Sequence, residues 1–215
     1  MDQNIIRIGM KAPDFSATTT FGPLNMSDLQ GKWVVMFSHP GDFTPVCTTE
    51  FIAFSQMAPC FAQRNAQLLG LSIDSNPSHL AWVYNIYLNT GIQIPFPIIA
   101  DRDGSIARLY GMIAPDVSST ETIRSVFIID DKQVIRAILS YPQTNGRNIP
   151  EILRLVIALQ TSAREKVATP ANWIPGQPVV VPVAKTYNEL IERVQNPQAQ
   201  GLTKCMDWYL CFKQI

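Results

Sequence analysis

The residues most capable of chemistry in this chain of 215 are four cysteines, Cys47, Cys60, Cys205 and Cys211. None of them forms a C-x-x-C pair, so neither a zinc knuckle nor an adjacent dithiol is encoded. The two histidines, His39 and His79, stand forty residues apart, and no structural metal site is expected from that spacing. The pattern suits a single nucleophile with a distant partner. Cys47 ends the run Pro40-Gly-Asp-Phe-Thr-Pro-Val-Cys47, which follows a short apolar strand and opens a helix. A helix N-terminus carries unpaired N–H groups and the positive end of the peptide dipole, both of which favour thiolate over thiol. Thr44 presents a hydroxyl three residues before the sulfur, and a positioned donor eases the departure of an oxygen leaving group. Pro40 and Pro45 stiffen the loop between them. On residue type alone, Cys47 also reads as a small buried hydrophobe.

The elements that must position these residues follow from periodicity. Trp33 to Ser38 is a continuous apolar run bounded by Gly31 and Pro40, hence a buried strand. From Cys47 to Arg64 apolar residues recur every three or four positions, the period of a helix with one buried face, and Pro59 is expected to bend it. Leu68–Ile73 reads as a second strand. Ser75 and Pro77 then open a helix reaching to about Asn89. Pro97–Ala100 is a third strand, Ser105–Tyr110 a short helix, and Ser125–Asp130 with Val134–Ser140 a hairpin. A last helix starts at a capping-box pattern from Asn148 to Glu151. Strands alternating with helices and closing on an antiparallel hairpin are the layout of an α/β, thioredoxin-like fold. Four prolines between Pro170 and Pro182 break that texture, so the expected division is a main domain, 1–165, and a small C-terminal domain, 166–215, with a helix near Tyr187–Gln195. Cys60 lies thirteen residues beyond Cys47 on one predicted helix, about 20 Å away. That is too far for a disulfide, and a core cysteine is expected there. Six residues separate Cys205 from Cys211, which on a helix would turn them about 120° apart.

The segment Phe37-Ser-His-Pro-Gly-Asp-Phe-Thr-Pro-Val-Cys-Thr-Thr-Glu50 resembles the peroxidatic site of the peroxiredoxins, whose shared pattern is P-x-x-x-T-x-x-C, and in particular their one-cysteine subgroup. The likeness continues through Leu69–Asp74, Ile94–Asp101, Thr122–Arg124 with Phe127–Asp130, and Gly146-Arg147. The resemblance implies roles position by position. Cys47 matches the peroxidatic cysteine, Thr44 the residue that holds the peroxide, Pro40 the residue that shields the sulfur, and Arg124 the guanidinium beside the thiolate. Arg147 matches a second arginine supporting the site through Glu50, and His39 a neighbour of the sulfur. By residue type alone Arg124 reads as a strand-end surface charge, Arg147 as a solvated loop residue and His39 as a core histidine. His79 is expected to be structural. The tail Lys204-Cys-Met-Asp-Trp-Tyr-Leu-Cys211 is similar to the C-x-x-x-x-x-C tail of archaeal and some bacterial members. By that likeness Cys211 condenses with the oxidised sulfur of a partner subunit, with Cys205 a second acceptor.

Composition narrows the function classes. Seventeen basic residues balance seventeen acidic ones, so no charge excess draws the chain to nucleic acid or an anionic membrane. The N-terminus lacks a basic segment followed by an apolar one, no run approaches a membrane span, and a cytoplasmic protein is expected. A charged fraction of only 16% suggests surface hidden in an oligomer, and the resemblance implies a homodimer or a decamer, between which the sequence does not select. No glycine-rich phosphate loop of the P-loop or dinucleotide type occurs, so no cofactor is expected. The expected activity, implied by the resemblance, is reduction of hydrogen peroxide and organic hydroperoxides, with thioredoxin or a small thiol as reductant. A redox sensor or a holdase assembly would use the same cysteine without steady turnover. A serine hydrolase is disfavoured by the lack of a G-x-S-x-G elbow.

Overall fold

The computed structural model describes residues 6–215; the first five, part of the N-terminal stretch read for a leader, lie outside the described residues. The chain divides into two compact units, Met1–Pro150 and Glu151–Ile215. The division falls before the helix Ile149–Glu165 has run its length, whereas the sequence placed it near 165. No helix among the described residues is long and apolar enough to cross a membrane.

The first unit is a mixed sheet with helices. Its strands are β1 (Ser16–Thr19), β2 (Gly22–Asn25), β3 (Trp33–Ser38), β4 (Ala66–Ser72), β5 (Ile98–Ala100), β6 (Arg124–Ile129) and β7 (Ile135–Tyr141), in the spatial order β2-β1-β5-β4-β3-β6-β7 among the described residues. All six residues of β3 are buried, because β3 is central, parallel to β4 and antiparallel to β6. That is why it reads as an unbroken apolar run rather than an alternating one. The helices α1 (Pro45–Ala62), α2 (Asn76–Thr90) and α3 (Ser105–Leu109) form the connections. Phe37 of β3 stacks on Phe54 of α1 at 4.0 Å and meets Phe51 edge-on at 5.4 Å. Each such ring removes about 150–250 Å² from water. Gly70 of β4 allows this approach, since a Cβ there would lie 3.2 Å from the Phe51 ring. Around Met36, Leu69, Leu71, Ile99, Phe127 and Ile129 a second apolar cluster closes over α3 and Met26.

The thioredoxin-like α/β expectation is borne out, with differences at the edges. The β1–β2 hairpin has no counterpart in the sequence pattern; its strands are four residues each and half of their residues are exposed, and Ser-Ala-Thr-Thr and Gly-Pro-Leu-Asn carry no apolar alternation. α1 continues through Pro59. Cys60 is exposed rather than buried: it follows Phe51 by nine residues, and at ~100° per residue this sets it on the opposite face of the helix.

The second unit holds most of α4 (Ile149–Glu165), β8 (Val179–Val180), α5 (Tyr187–Gln195), β9 (Lys204–Asp207) and β10 (Leu210–Lys213). Ala158, Val167, Trp173 and Val179 form its apolar cluster. Thr186 caps α5 through the Glu189 amide at 3.2 Å. The cysteine segment is a β-hairpin, not a helix. Cys211 pairs with Cys205 across the strands and the two are joined as a disulfide.

Candidate active site

Cys47 sits in the first turn of α1, opened by Thr44 and by Pro45 at its first positions. Proline is suited to that place because its missing N–H would be unpaired there in any case. Phe43, just before, adopts φ 55°, a left-handed conformation uncommon outside glycine and found where surrounding structure enforces it. Pro40, Gly41, Thr44, Pro45, Val46, Glu121, Arg124 and Gln143 line a cleft of about 280 Å³. Cys47 itself is 0% exposed.

The sulfur is held among charges. Arg124, the first residue of β6, directs Nη1 to Cys47 Sγ at 3.3 Å and to Glu50 Oε2 at 2.8 Å. Its Nε and Nη2 both donate to Gln143 O, at 2.9 and 2.7 Å. Glu50, one turn beyond Cys47, also accepts from Arg147: the main-chain N and Nε on Oε1 at 2.8 Å each, and Nη2 on Oε2 at 2.6 Å. Arg147 Nη1 reaches Ser38 O at 2.9 Å and Ser125 O at 3.1 Å, and its guanidinium lies 5.2 Å from the centre of the Phe37 ring, within cation–π range. Burial alone would push the Glu50 carboxyl up, but the hydrogen bonds and charge of Arg147, with Arg124 adding, hold it below the usual range. Burial draws Arg147 down from its ordinary value against the opposing pull of Glu50. Two guanidiniums against one carboxylate leave a net positive charge beside the sulfur, and an anionic sulfur offsets it.

Thr44 Oγ1 donates to Gly41 O at 2.8 Å, which leaves its lone pairs free to accept from an incoming O–H. The arrangement therefore combines a nucleophile, an acceptor for a substrate proton and a charged donor for developing negative charge.

The histidines correct the spacing argument. His39 Nε2 lies 3.1 Å from Asp42 Oδ1, and His79 Nδ1 lies 2.9 Å from Asp42 Oδ2; the fold brings both imidazoles to one buried carboxylate. These three offer ligand atoms that all lie within 4.8 Å of one another. They are also partners to each other, and His79 Nε2 meets Ile99 O at 3.1 Å. Burial would push Asp42 up, but its two histidine partners hold it well below the usual carboxylate range. Burial draws His39 down, so it is neutral near pH 7, with its ring stacked on Trp82 at 5.1 Å. Asp42 thereby anchors the loop carrying Pro40 and Thr44.

The structure brings together Cys47, Arg124, Glu50 and Arg147 by direct contact, with Pro40 and Thr44 at the cleft. His39 is linked to the loop through Asp42. Asp42 and Gln143 escaped the sequence reading. A charged residue inside a proline-bounded loop is a faint signal for the first, and Gln143 acts through its main chain, which side-chain type cannot reveal. Cys205 and Cys211 lie in the second unit.

Comparison with known proteins agrees with this geometry. Residues 8–138 match the AhpC/TSA family model, and residues 158–196 match that of the C-terminal domain of 1-Cys peroxiredoxin. The chain is 63% identical over 209 residues to peroxiredoxin 2 of Caldanaerobacter subterraneus subsp. tengcongensis, covering 97% of this chain and 93% of the relative. It is 52% identical to a peroxiredoxin of Aquifex aeolicus, covering 97% of each. Among solved structures, a yeast mitochondrial 1-Cys peroxiredoxin superposes with a TM-score of 0.85 at 40% identity, covering 98% of this chain and all of the other. Peroxiredoxin 6 of Arenicola marina gives 0.85 at 37%, covering 97% of this chain and 98% of the other. Family model, close relatives and fold all lead to one conclusion: the chain belongs to the peroxiredoxins, the thiol-dependent peroxidases.

Proposed function

We propose that this peroxiredoxin reduces hydrogen peroxide and organic hydroperoxides through Cys47 and is returned to its reduced form by way of its tail. The Cys47 thiolate attacks one oxygen of the O–O bond. The other oxygen leaves as hydroxide or alkoxide and takes up a proton, and Cys47 becomes a sulfenic acid. Arg124 offsets charge on the sulfur and on the oxygens, Thr44 holds the peroxide, and Pro40 shields the sulfur from water. Glu50 and Arg147 fix the direction of Arg124, and His39 with Asp42 braces the loop. The observation that carries this reading is the 3.3 Å contact of Arg124 Nη1 with Cys47 Sγ at the start of α1.

The sulfenic acid then condenses with Cys211 of a second copy in a homodimer, releasing water, with Cys205 as the further acceptor. An external dithiol such as thioredoxin supplies the two electrons that close the cycle, in the cytoplasm. Peroxide consumption coupled to thioredoxin, thioredoxin reductase and NADPH tests the scheme. Repeated turnover is expected, and a single round of Cys47 oxidation without turnover would favour a sensor instead.

A further inference from the structure

The tail hairpin carries a sulfur pair whose two members have unlike surroundings. Cys211 is 0% exposed, whereas all four residues of β9, Cys205 among them, are exposed. A cavity of about 200 Å³ is lined by both cysteines and by Arg193, Val194, Met206 and Trp208. Arg193, on α5, donates from Nη1 to Trp208 O at 3.3 Å, while its Nε is buried with no hydrogen-bond partner. The hairpin displays Met206, Trp208 and Tyr209 at 69, 39 and 51% exposure, apolar side chains on the same hairpin as the Cys205–Cys211 disulfide. Cys47, in contrast, is fully buried.

We infer that this hairpin is the docking surface for a protein dithiol reductant, and that Cys205 is the sulfur it attacks. The inference rests on the peroxidase reading above and assigns the order of events within it. In the oxidative half, Cys211 joins oxidised Cys47 as a disulfide with loss of water. The Cys205 thiolate, held opposite Cys211 by the strand register, attacks Cys211 Sγ. The tail disulfide forms and Cys47 leaves as a thiolate, a departure eased by the guanidinium beside it. In the reductive half, a thiolate of the reductant attacks Cys205 Sγ, the end on the exposed strand, and Cys211 leaves as a thiolate into the cavity that Arg193 and Asp207 also line. The reductant's second thiolate then attacks its own sulfur in the mixed disulfide and releases Cys205. Two electrons and two protons pass to the tail, and the reductant ends as a disulfide. Opening the bond also unties the hairpin and frees Cys211 for the next sulfenic acid.

The test has two arms. In the first, thioredoxin lacking its second cysteine is added to the full-length protein with the tail disulfide formed, and the trapped mixed disulfide is mapped by mass spectrometry. Attachment at Cys205 is expected; attachment at Cys211 would overturn the proposal. Arg193→Met should slow trapping about threefold or more by removing the cation that favours the leaving thiolate, and Trp208→Ala should raise the KM for thioredoxin relative to that for dithiothreitol. Equal trapping rates together with an unchanged KM ratio would exclude this surface. In the second arm, reduced wild-type and Cys205→Ser proteins receive one equivalent of hydrogen peroxide and are then alkylated. The wild type should end with Cys205 joined to Cys211 and Cys47 free. Cys205→Ser should stop at Cys47–Cys211 cross-linked chains, with thioredoxin-driven turnover lowered at least about tenfold. A wild type that also stops at the Cys47–Cys211 cross-link would refute the relay. The trap reads the tail without peroxide, so a failure of peroxide consumption would count against the peroxidase reading alone.

Discussion

Replacing Glu50 by glutamine removes the one negative charge that Arg124 and Arg147 share while nearly preserving shape. In the parent, Glu50 accepts four hydrogen bonds of 2.6–2.8 Å from the two arginines, and its side chain is 2% exposed, so solvent screens little. Removing one partner of a buried ion pair costs about 3–5 kcal/mol, and at ~2–4 °C per kcal/mol for a chain of this length the midpoint of thermal unfolding should fall by about 6–20 °C. Activity should fall with it, because one neutral amide oxygen cannot serve both arginines as the two carboxylate oxygens do, and the hold that aims Arg124 Nη1 at Cys47 weakens. The contacts to Gln143 O persist and keep the guanidinium in the site, so Glu50→Gln should lose less activity than Arg124→Ala. Calorimetry near neutral pH and the second-order rate of peroxide consumption read the two effects separately. A midpoint within about 2 °C of the parent would show that the arginines do not depend on Glu50.

Arg124→Lys keeps the charge but cannot span Cys47, Glu50 and Gln143 together; loss of a charge-assisted bond worth about 1.5–3 kcal/mol should slow peroxide attack by about 10- to 150-fold, measured by stopped-flow fluorescence on the folded variant. Asp42→Asn leaves His39 and His79 sharing a neutral amide and should lower both unfolding stability and kcat/KM for peroxide; unchanged values would mean that the loop does not need this anchor. Stability should fall with acid in two stages, measured by denaturant unfolding across pH. His39, drawn below its ordinary 6.5, stays neutral when folded, so protons favour the unfolded chain as pH drops through 6.5 toward the lower folded value. Glu50 and Asp42 are held below their ordinary 4.5 and 3.8, so their contribution, present above those values, is lost as pH falls through the lower folded ones.

What was legible in the sequence was local. The strand Trp33–Ser38, the helix start at Pro45 and the loop between them lie within fifteen residues, so one contiguous pattern carried the nucleophile and Thr44. Arg124, Arg147 and Glu50 entered through a family likeness, because the contacts that join them span 74 and 97 positions and no periodicity encodes such separations. The same distance hid the convergence of His39 and His79 on Asp42: each sits where a strand ends or a helix begins, and the order β5-β4-β3 makes those ends neighbours. The tail misled for another reason. A six-residue cysteine spacing fits a hairpin pair as well as a helix, and the exposed residues of β9 supply no alternation to distinguish the two. Cys60 shows that residue type alone is a weak guide to burial when helix phase places it opposite the packed face.

The most direct test of the account is stoichiometric peroxide consumption by the reduced Cys47→Ser protein, with Cys60, Cys205 and Cys211 left in place. The serine oxygen is not ionised near neutrality and lacks the soft nucleophilicity of sulfur, so the folded variant should leave added hydrogen peroxide unconsumed while the parent removes it. Consumption at the parent rate would place the reacting thiol elsewhere and contradict the assignment of Cys47.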